Sequence, residues 1–286
     1  MDLTAPADVK DALAGVHYLA DDRISQVVFL ADRLGKPVLV EGPAGVGKTE
    51  LAKALSTILD RRLIRLQCYE GLDEAKAIYE WNYKKQLLRI QAGQDESWDR
   101  LEDDIFSEDF LLTRPLLEGI LSDRPVVLLI DEIDRVEVET EALLLEVLSD
   151  FQVSIPELGT LEATSQPLVL LTSNNTRELS EALKRRCLFL HIGYPTIERE
   201  RDILLARVAD LPEVLAEQIA RVVHSIRDLD LKKAPSVSES IDWARTLLAL
   251  GIETVGPGVL EDTLHVLLKY QTDLDIARRE LVDATP

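Results

Sequence analysis

Eight consecutive residues, Gly42-Pro43-Ala44-Gly45-Val46-Gly47-Lys48-Thr49, combine three glycines with an ammonium and a hydroxyl. Their order fits the pattern G-x-x-x-x-G-K-[ST]. Glycine at 42, 45 and 47 lets backbone N–H groups converge on phosphate oxygens with no side chain in the way. A helix that starts here adds partial positive charge. Lys48 then meets the β- and γ-oxygens of a nucleoside triphosphate, and the Thr49 hydroxyl ligates Mg²⁺. With Pro43, Ala44 and Val46 between the glycines and Glu50 in the first helical turn, residues 42–50 are the candidate binding set for ATP.

Three further patterns carry chemistry. Asp131-Glu132-Ile133-Asp134 follows the apolar run Val126–Ile130. A strand ending in carboxylates delivers them to the C-terminal edge of a sheet, beside a phosphate loop. Asp131 is therefore the second metal candidate, holding Mg²⁺ through its water shell, and Glu132 takes a proton from, or orients, the attacking water. Thr172-Ser173-Asn174-Asn175 ends another apolar run. Asn174, in preference to Asn175, is read as an amide that contacts the attacking water or the γ-phosphate; the competing reading is an Asn-rich turn. Lys184-Arg185-Arg186 closes a short helix. Bases there complement the helix dipole, and they also offer a guanidinium to a neighbouring subunit's γ-phosphate, which requires a ring.

These groups need a scaffold that brings distant segments to one edge. Apolar runs of strand length fall at 37–41, 63–67, 126–130, 168–172 and 188–192. They are continuous rather than alternating, which predicts a parallel sheet covered on both faces. Helical patterns lie between them, as at 48–59 and 139–148, so the core is a doubly wound α/β unit with five parallel strands. Val153–Ile155 and Leu158–Ala163 predict a small hairpin. After Tyr194-Pro195 the apolar spacing becomes helical to Ala284. The reading divides the chain into a nucleotide-binding core, 1–194, and a smaller all-α domain, 195–286. Residues 68–125 are more than a crossover requires and are read as a helical insert. Tyr79, Trp81 and Tyr83 in it either pack the insert or grip a partner. Acids at Asp95, Glu96, Asp99, Glu102, Asp103 and Asp104 either face solvent or attract a basic partner.

Composition narrows the classes. In 286 residues, 52 acids against 32 bases leave a net charge of −20, which disfavours nucleic acid as a general partner. Cys68 and Cys187 make no metal knuckle or disulfide framework, and the four histidines lack zinc spacing. The first fifteen residues lack the apolar core of a leader, and no run approaches membrane-span length. The expectation is a cytoplasmic protein without a membrane span.

The four motifs, in this order and followed by a helical domain, resemble the AAA+ ATPases. Within them the chain is similar to the MoxR branch, through Asp131-Glu132-Ile133-Asp134-Arg135, Glu141-Ala142-Leu143-Leu144-Leu145-Glu146 and the hairpin at 153–155. Glu181–Arg186 aligns with that family's Glu-Ala-x-x-Asp-Arg run, which places Arg186 at the arginine-finger position, while Arg185 replaces an aspartate. Gln67–Asp73, Tyr79–Tyr83 and Gln86–Leu88 look like the CoxD-type subgroup. The resemblance implies an AAA+ core with a helical insert and a lid domain. It also implies ATP hydrolysis with Mg²⁺, a hexameric ring, a von Willebrand factor A domain partner, and a chaperone role toward a metalloenzyme client such as a molybdenum hydroxylase or carbon monoxide dehydrogenase. One departure is that Ser238 stands where the family places a lid arginine; Arg245 is either a substitute or a solvated helix residue. A nucleotide-gated binding switch with little turnover is the competing function, and a DNA motor is disfavoured by the charge.

Overall fold

The computed structural model describes residues 3–93 and 98–282, so Asp95 and Glu96 of the acidic run lie outside the described residues. The elements begin with α1 (Pro6–Gly15), α2 (Asp22–Leu34), β1 (Val38–Glu41), α3 (Lys48–Leu59) and β2 (Leu63–Gln67). They continue with α4 (Glu74–Ala77), β3 (Tyr79–Trp81), α5 (Tyr83–Ala92), α6 (Trp98–Ile105), β4 (Leu111–Thr113) and α7 (Pro115–Ile120). Next come β5 (Val127–Asp131), α8 (Val138–Asp150), β6 (Gln152–Ile155), β7 (Gly159–Glu162), β8 (Leu168–Ser173), α9 (Glu181–Arg186) and β9 (Leu188–His191). The chain ends in helices α10 (Ile197–Arg207), α11 (Glu213–Arg227), α12 (Val237–Ala249), α13 (Pro257–Leu267) and α14 (Gln271–Ala277). Of the described residues, 3–16, 20–41 and 49–191 form one compact unit; 17–19, 42–48 and 192–282 form the other.

In the first unit five parallel strands stand in the order β2-β5-β8-β1-β9. Every residue of β5 and of β8 is buried, which is why these two read as unbroken apolar runs: a central strand covered on both faces has no solvent side to make polar. Ser25, Val28 and Ala31 of α2 and Leu51, Ala52 and Leu55 of α3 are among its buried helical residues. The Asp21 carboxylate starts α2 by accepting from the Ile24 N–H at 2.7 Å, and Gly35 ends it in the left-handed conformation; each satisfies backbone groups that the helix leaves unpaired. The sheet's C-terminal edge thus carries Glu41, Asp131 and Ser173, the last residues of β1, β5 and β8.

The segment between β2 and β5 holds helices, as expected, and also an antiparallel pair, β3 with β4. The alternation Tyr79-Glu80-Trp81 has the period of a strand rather than a helix. It divides the aromatic cluster. Trp81 is buried, edge-on to Tyr79 at 6.4 Å and to Phe106 at 5.4 Å, whereas Tyr83, the first residue of α5, is 63% exposed. β6 and β7 form the hairpin.

The second unit packs α10–α14 around Trp243, which is fully buried and donates its Nε1–H to Thr263 Oγ1 at 2.8 Å. Glu200 is buried against Arg227, whose two terminal nitrogens donate to it at 2.5 and 2.8 Å. Ser240 Oγ also donates to Glu200 at 2.7 Å, and Arg227 Nε donates to the Pro235 carbonyl at 2.8 Å. This network holds the turn that leads into α12. A capping box follows at once: the Glu239 carboxylate accepts from the Ser236 N–H, and Ser236 Oγ accepts from the Glu239 N–H.

Candidate functional site

The glycine-rich loop follows β1 and ends where α3 begins, at Lys48. Gly42, Gly45 and Gly47 have φ of +152°, +74° and +99°, conformations that an L side chain rarely adopts. Close approach reinforces the need for glycine at two of them. A Cβ on Gly42 would lie 1.9 Å from the Ile192 carbonyl oxygen, and one on Gly45 2.3 Å from Ser236 Oγ. Lys48 is buried and its Nζ donates to the Gly42 and Pro43 carbonyls, 2.7 Å each, so the ammonium is held along the loop's own backbone. The start of α12 rests on the same loop: the Ser238 N–H and Oγ donate to the Gly45 carbonyl at 3.3 and 3.4 Å. Where a lid arginine was expected, a serine therefore makes a short contact with the loop backbone. Arg245, further along α12, pairs with Asp242 at 3.6 Å, both largely in solvent.

Thr49, next in the chain, belongs to the unit that carries the sheet. Its Oγ1 donates to Asp131 Oδ1 at 3.1 Å and lies 3.2 Å from Oδ2. These two metal candidates, 82 residues apart in sequence, are adjacent in space. Asp131 is buried; Thr172 Oγ1 donates to its Oδ1 at 2.5 Å, and Arg65 donates to its Oδ2 from Nε at 3.0 Å and from Nη2 at 2.6 Å. Glu132 turns sharply away with φ +58°, its N–H donating to Thr172 Oγ1 at 2.9 Å. The Glu132 carboxylate meets Arg135 Nε at 2.8 Å and accepts from Gln67 Nε2 at 3.1 Å.

Asn174 follows β8 at the same edge; its N–H donates to the Asp134 carboxylate at 3.2 Å. Asp134 accepts also from the Thr176 N–H at 2.9 Å and the Thr176 hydroxyl at 2.6 Å. Burial raises the pKa of Asp134, but the Thr176 and Asn174 hydrogen bonds outweigh it and hold the carboxyl below its usual range. Cys68 lies beneath this edge, its N–H on the Asp131 carbonyl at 2.8 Å. Burial and then the charges of Asp131, Asp134 and Glu132 push its thiol up to about 12, so it is not a nucleophile at neutral pH. At the end of α9, Arg186 bonds to Ser149 Oγ and to the Ala182 carbonyl. Arg185 is exposed. Glu50 pairs with Lys53 at 2.7 Å on α3.

Sequence reasoning gave Arg65, Gln67 and Asp134 no role of their own, although Asp134 stood in the carboxylate run and Gln67 in a subgroup motif. Asp134 was one acid among several in a turn. Arg65 and Gln67 were two polar residues in a strand, and the only signal was their i, i+2 spacing, which puts them on one face. The oxygen donors Thr49 and Asp131, one hydroxyl and one buried carboxylate side by side, suit Mg²⁺, which takes one or two protein oxygens and completes its shell with phosphate and water.

A family model described as AAA domain (dynein-related subfamily) matches residues 37–187. An uncharacterized protein of Staphylococcus aureus (strain NCTC 8325 / PS 47) is 27% identical over 224 residues, 76% of this chain and 77% of that protein. Two mutants of RuvB from Thermotoga maritima share the fold. One has a TM-score of 0.51 at 17% identity, over 92% of this chain and 70% of the other. The second has a TM-score of 0.50 at 18% identity, over 86% and 67%.

Proposed function

This chain belongs to the AAA domain family, dynein-related subfamily, and we propose that it is a Mg²⁺-dependent ATPase whose cycle remodels or matures a client protein. Family membership supports nucleotide-dependent ATPase activity in general. The observation that carries the specific reading is the Thr49 hydroxyl 3.1 Å from the Asp131 carboxylate, since it joins the end of the phosphate loop to the end of a central strand. In this reading the amides of 42–48 and the Lys48 ammonium hold the triphosphate, and Thr49 and Asp131 hold Mg²⁺. The ion, when bound, offsets charge developing on the transferring phosphoryl group. Glu132 accepts the proton of, or orients, the attacking water, and Asn174 contacts that water or the γ-phosphate. Residues 195–286 act as the lid. Arg185, exposed in the last turn of α9, or Arg186, tied to Ser149, reaches a neighbouring copy's γ-phosphate in a hexameric ring.

A MoxR-type, CoxD-like place for this chain, a metalloenzyme client such as a molybdenum hydroxylase or carbon monoxide dehydrogenase, and a von Willebrand factor A domain partner are supported by the resemblance of 131–146 and of the insert motifs. A cytoplasmic location fits a reaction that consumes ATP. The competing reading, a nucleotide-gated switch with little turnover, rests on the Glu132 carboxylate being already engaged by Arg135 and Gln67.

Steady-state phosphate release by the purified chain decides between the two. Lys48→Ala should lose tight Mg·ATP binding. Glu132→Gln should keep binding while turnover falls roughly 10²–10⁴-fold, the usual contribution of a positioned base. Undiminished binding by the first variant, or parent-like release by the second, refutes the assignment. Negligible release by the parent, with binding intact, selects the switch.

A further inference from the structure

We propose that Arg65 is a resident cation of the metal side of the site: its guanidinium competes with the divalent ion for Asp131 and, through Gln67, ties the arrival of that ion to the release of Glu132. The inference rests on the ATPase reading. It starts from register. Residues 63–67 of β2 pair in parallel with 127–131 of β5, and Gln67 stands opposite Asp131. Arg65 and Gln67 share one face of β2, so both side chains reach the end of β5.

Arg65 donates twice to Asp131 Oδ2 and Thr172 donates to Oδ1, while the Thr49 hydroxyl lies 3.1 Å from Oδ1 and 3.2 Å from Oδ2. The hydroxyl that marks the metal side therefore faces the whole carboxylate, and the guanidinium already occupies one of its two oxygens. A carboxylate this buried needs a counter-charge, and Arg65 supplies one. A divalent ion at Oδ1 would supply the same charge a few ångströms away, and the two cations would repel across a single carboxylate.

The second half of the device is Gln67. The Arg65 Nη2 that bonds Asp131 also donates to Gln67 Oε1. A guanidinium only donates, so the Gln67 amide must turn its oxygen toward Arg65 and its NH₂ toward Glu132. The NH₂ there donates to Glu132 Oε2. A cation that draws Asp131 away from Arg65 loosens the group that fixes this amide, and with it a restraint on Glu132; Arg135 supplies another.

The test follows Mn²⁺ uptake by electron paramagnetic resonance, with saturating ADP, in the full chain. The variants are Arg65→Met, Arg65→Lys and Gln67→Met, with Arg65→Gln as a second neutral change and circular dichroism to show that the fold is kept. Arg65 is about half exposed, so the competition is moderate. Its removal should lower half-saturating Mn²⁺ by about three- to tenfold. Arg65→Lys, which keeps the charge, should stay near the parent. Gln67→Met should leave Mn²⁺ affinity within about twofold while changing phosphate release at saturating metal. Unchanged or weaker Mn²⁺ binding in both neutral Arg65 variants overturns the inference and leaves the ATPase reading standing. An equal gain in Gln67→Met also overturns it, because general loosening would then explain both. A parent that takes up no Mn²⁺ with ADP removes the ATPase reading itself.

Discussion

Gly45→Ala tests how the phosphate loop is held. Two separate costs can be worked out for it. At φ +74° a Cβ adds roughly 1–2 kcal/mol for the left-handed conformation alone. That Cβ would also lie 2.3 Å from Ser236 Oγ and 2.6 Å from Ser236 Cβ, and Ser236 is buried and fixed by its capping box, so either the loop or the start of α12 must shift. Overpacking of this kind costs about 1–3 kcal/mol. The sum, about 2–5 kcal/mol, would appear as a loss of Mg·ADP affinity of at least about 30-fold if the loop moves to relieve it. Titration calorimetry on the parent, Gly45→Ala, Ser236→Gly and the double variant separates the two. In the Ser236→Gly background the new methyl keeps only an ordinary contact with Ser238 Oγ at 3.4 Å, and a glycine cap costs only a few tenths of a kcal/mol. Gly45→Ala should then cost only the backbone part, about 1–2 kcal/mol, leaving a coupling of about 1–3 kcal/mol. Affinity within about threefold of the parent for Gly45→Ala, or the same loss in both backgrounds, would refute the contact between the loop and α12.

Two other perturbations follow from the same geometry. Asp134→Asn puts an amide NH₂ among donors from Asn174 and Thr176 and should destabilise by about 2–3 kcal/mol at pH 7, read as a fall in melting temperature. Because the folded pKa of Asp134 is depressed, its contribution is complete above its unfolded value near ~3.9 and is lost as pH falls through the folded value; the gap between variant and parent should therefore close in acid, and a gap that widens below about pH 4 contradicts the assignment. For the ring, Arg185→Ala and Arg186→Ala subunits doped separately into parent should depress phosphate release more than in proportion for whichever arginine serves a neighbour; strictly proportional loss for both argues against a shared site.

The elements that carry the chemistry were legible because each is local. Gly42–Thr49 runs from the end of β1 into α3, which begins at Lys48 as read, and β5 and β8 declare themselves by unbroken apolar runs that suit a central parallel strand. What could not be read depends on register. Arg65 meets Asp131 across 66 positions and Ser238 meets Gly45 across 193; no periodicity within one segment encodes which strand lies next to which. The aromatic trio was ambiguous for a different reason. Tyr79 and Trp81 belong to a strand and Tyr83 to the helix after it, so one spacing crosses two periods, and burial changes where the element does.

Glu132 sits in a backbone conformation that suits glycine, at φ +58°. A glutamate there costs conformational energy that glycine or asparagine would not, so selection for thermal robustness alone would replace it. If Glu132 is the base of the reaction proposed above, a copy of this chain freed from the need to turn over ATP should lose this carboxylate before the neighbouring strand changes.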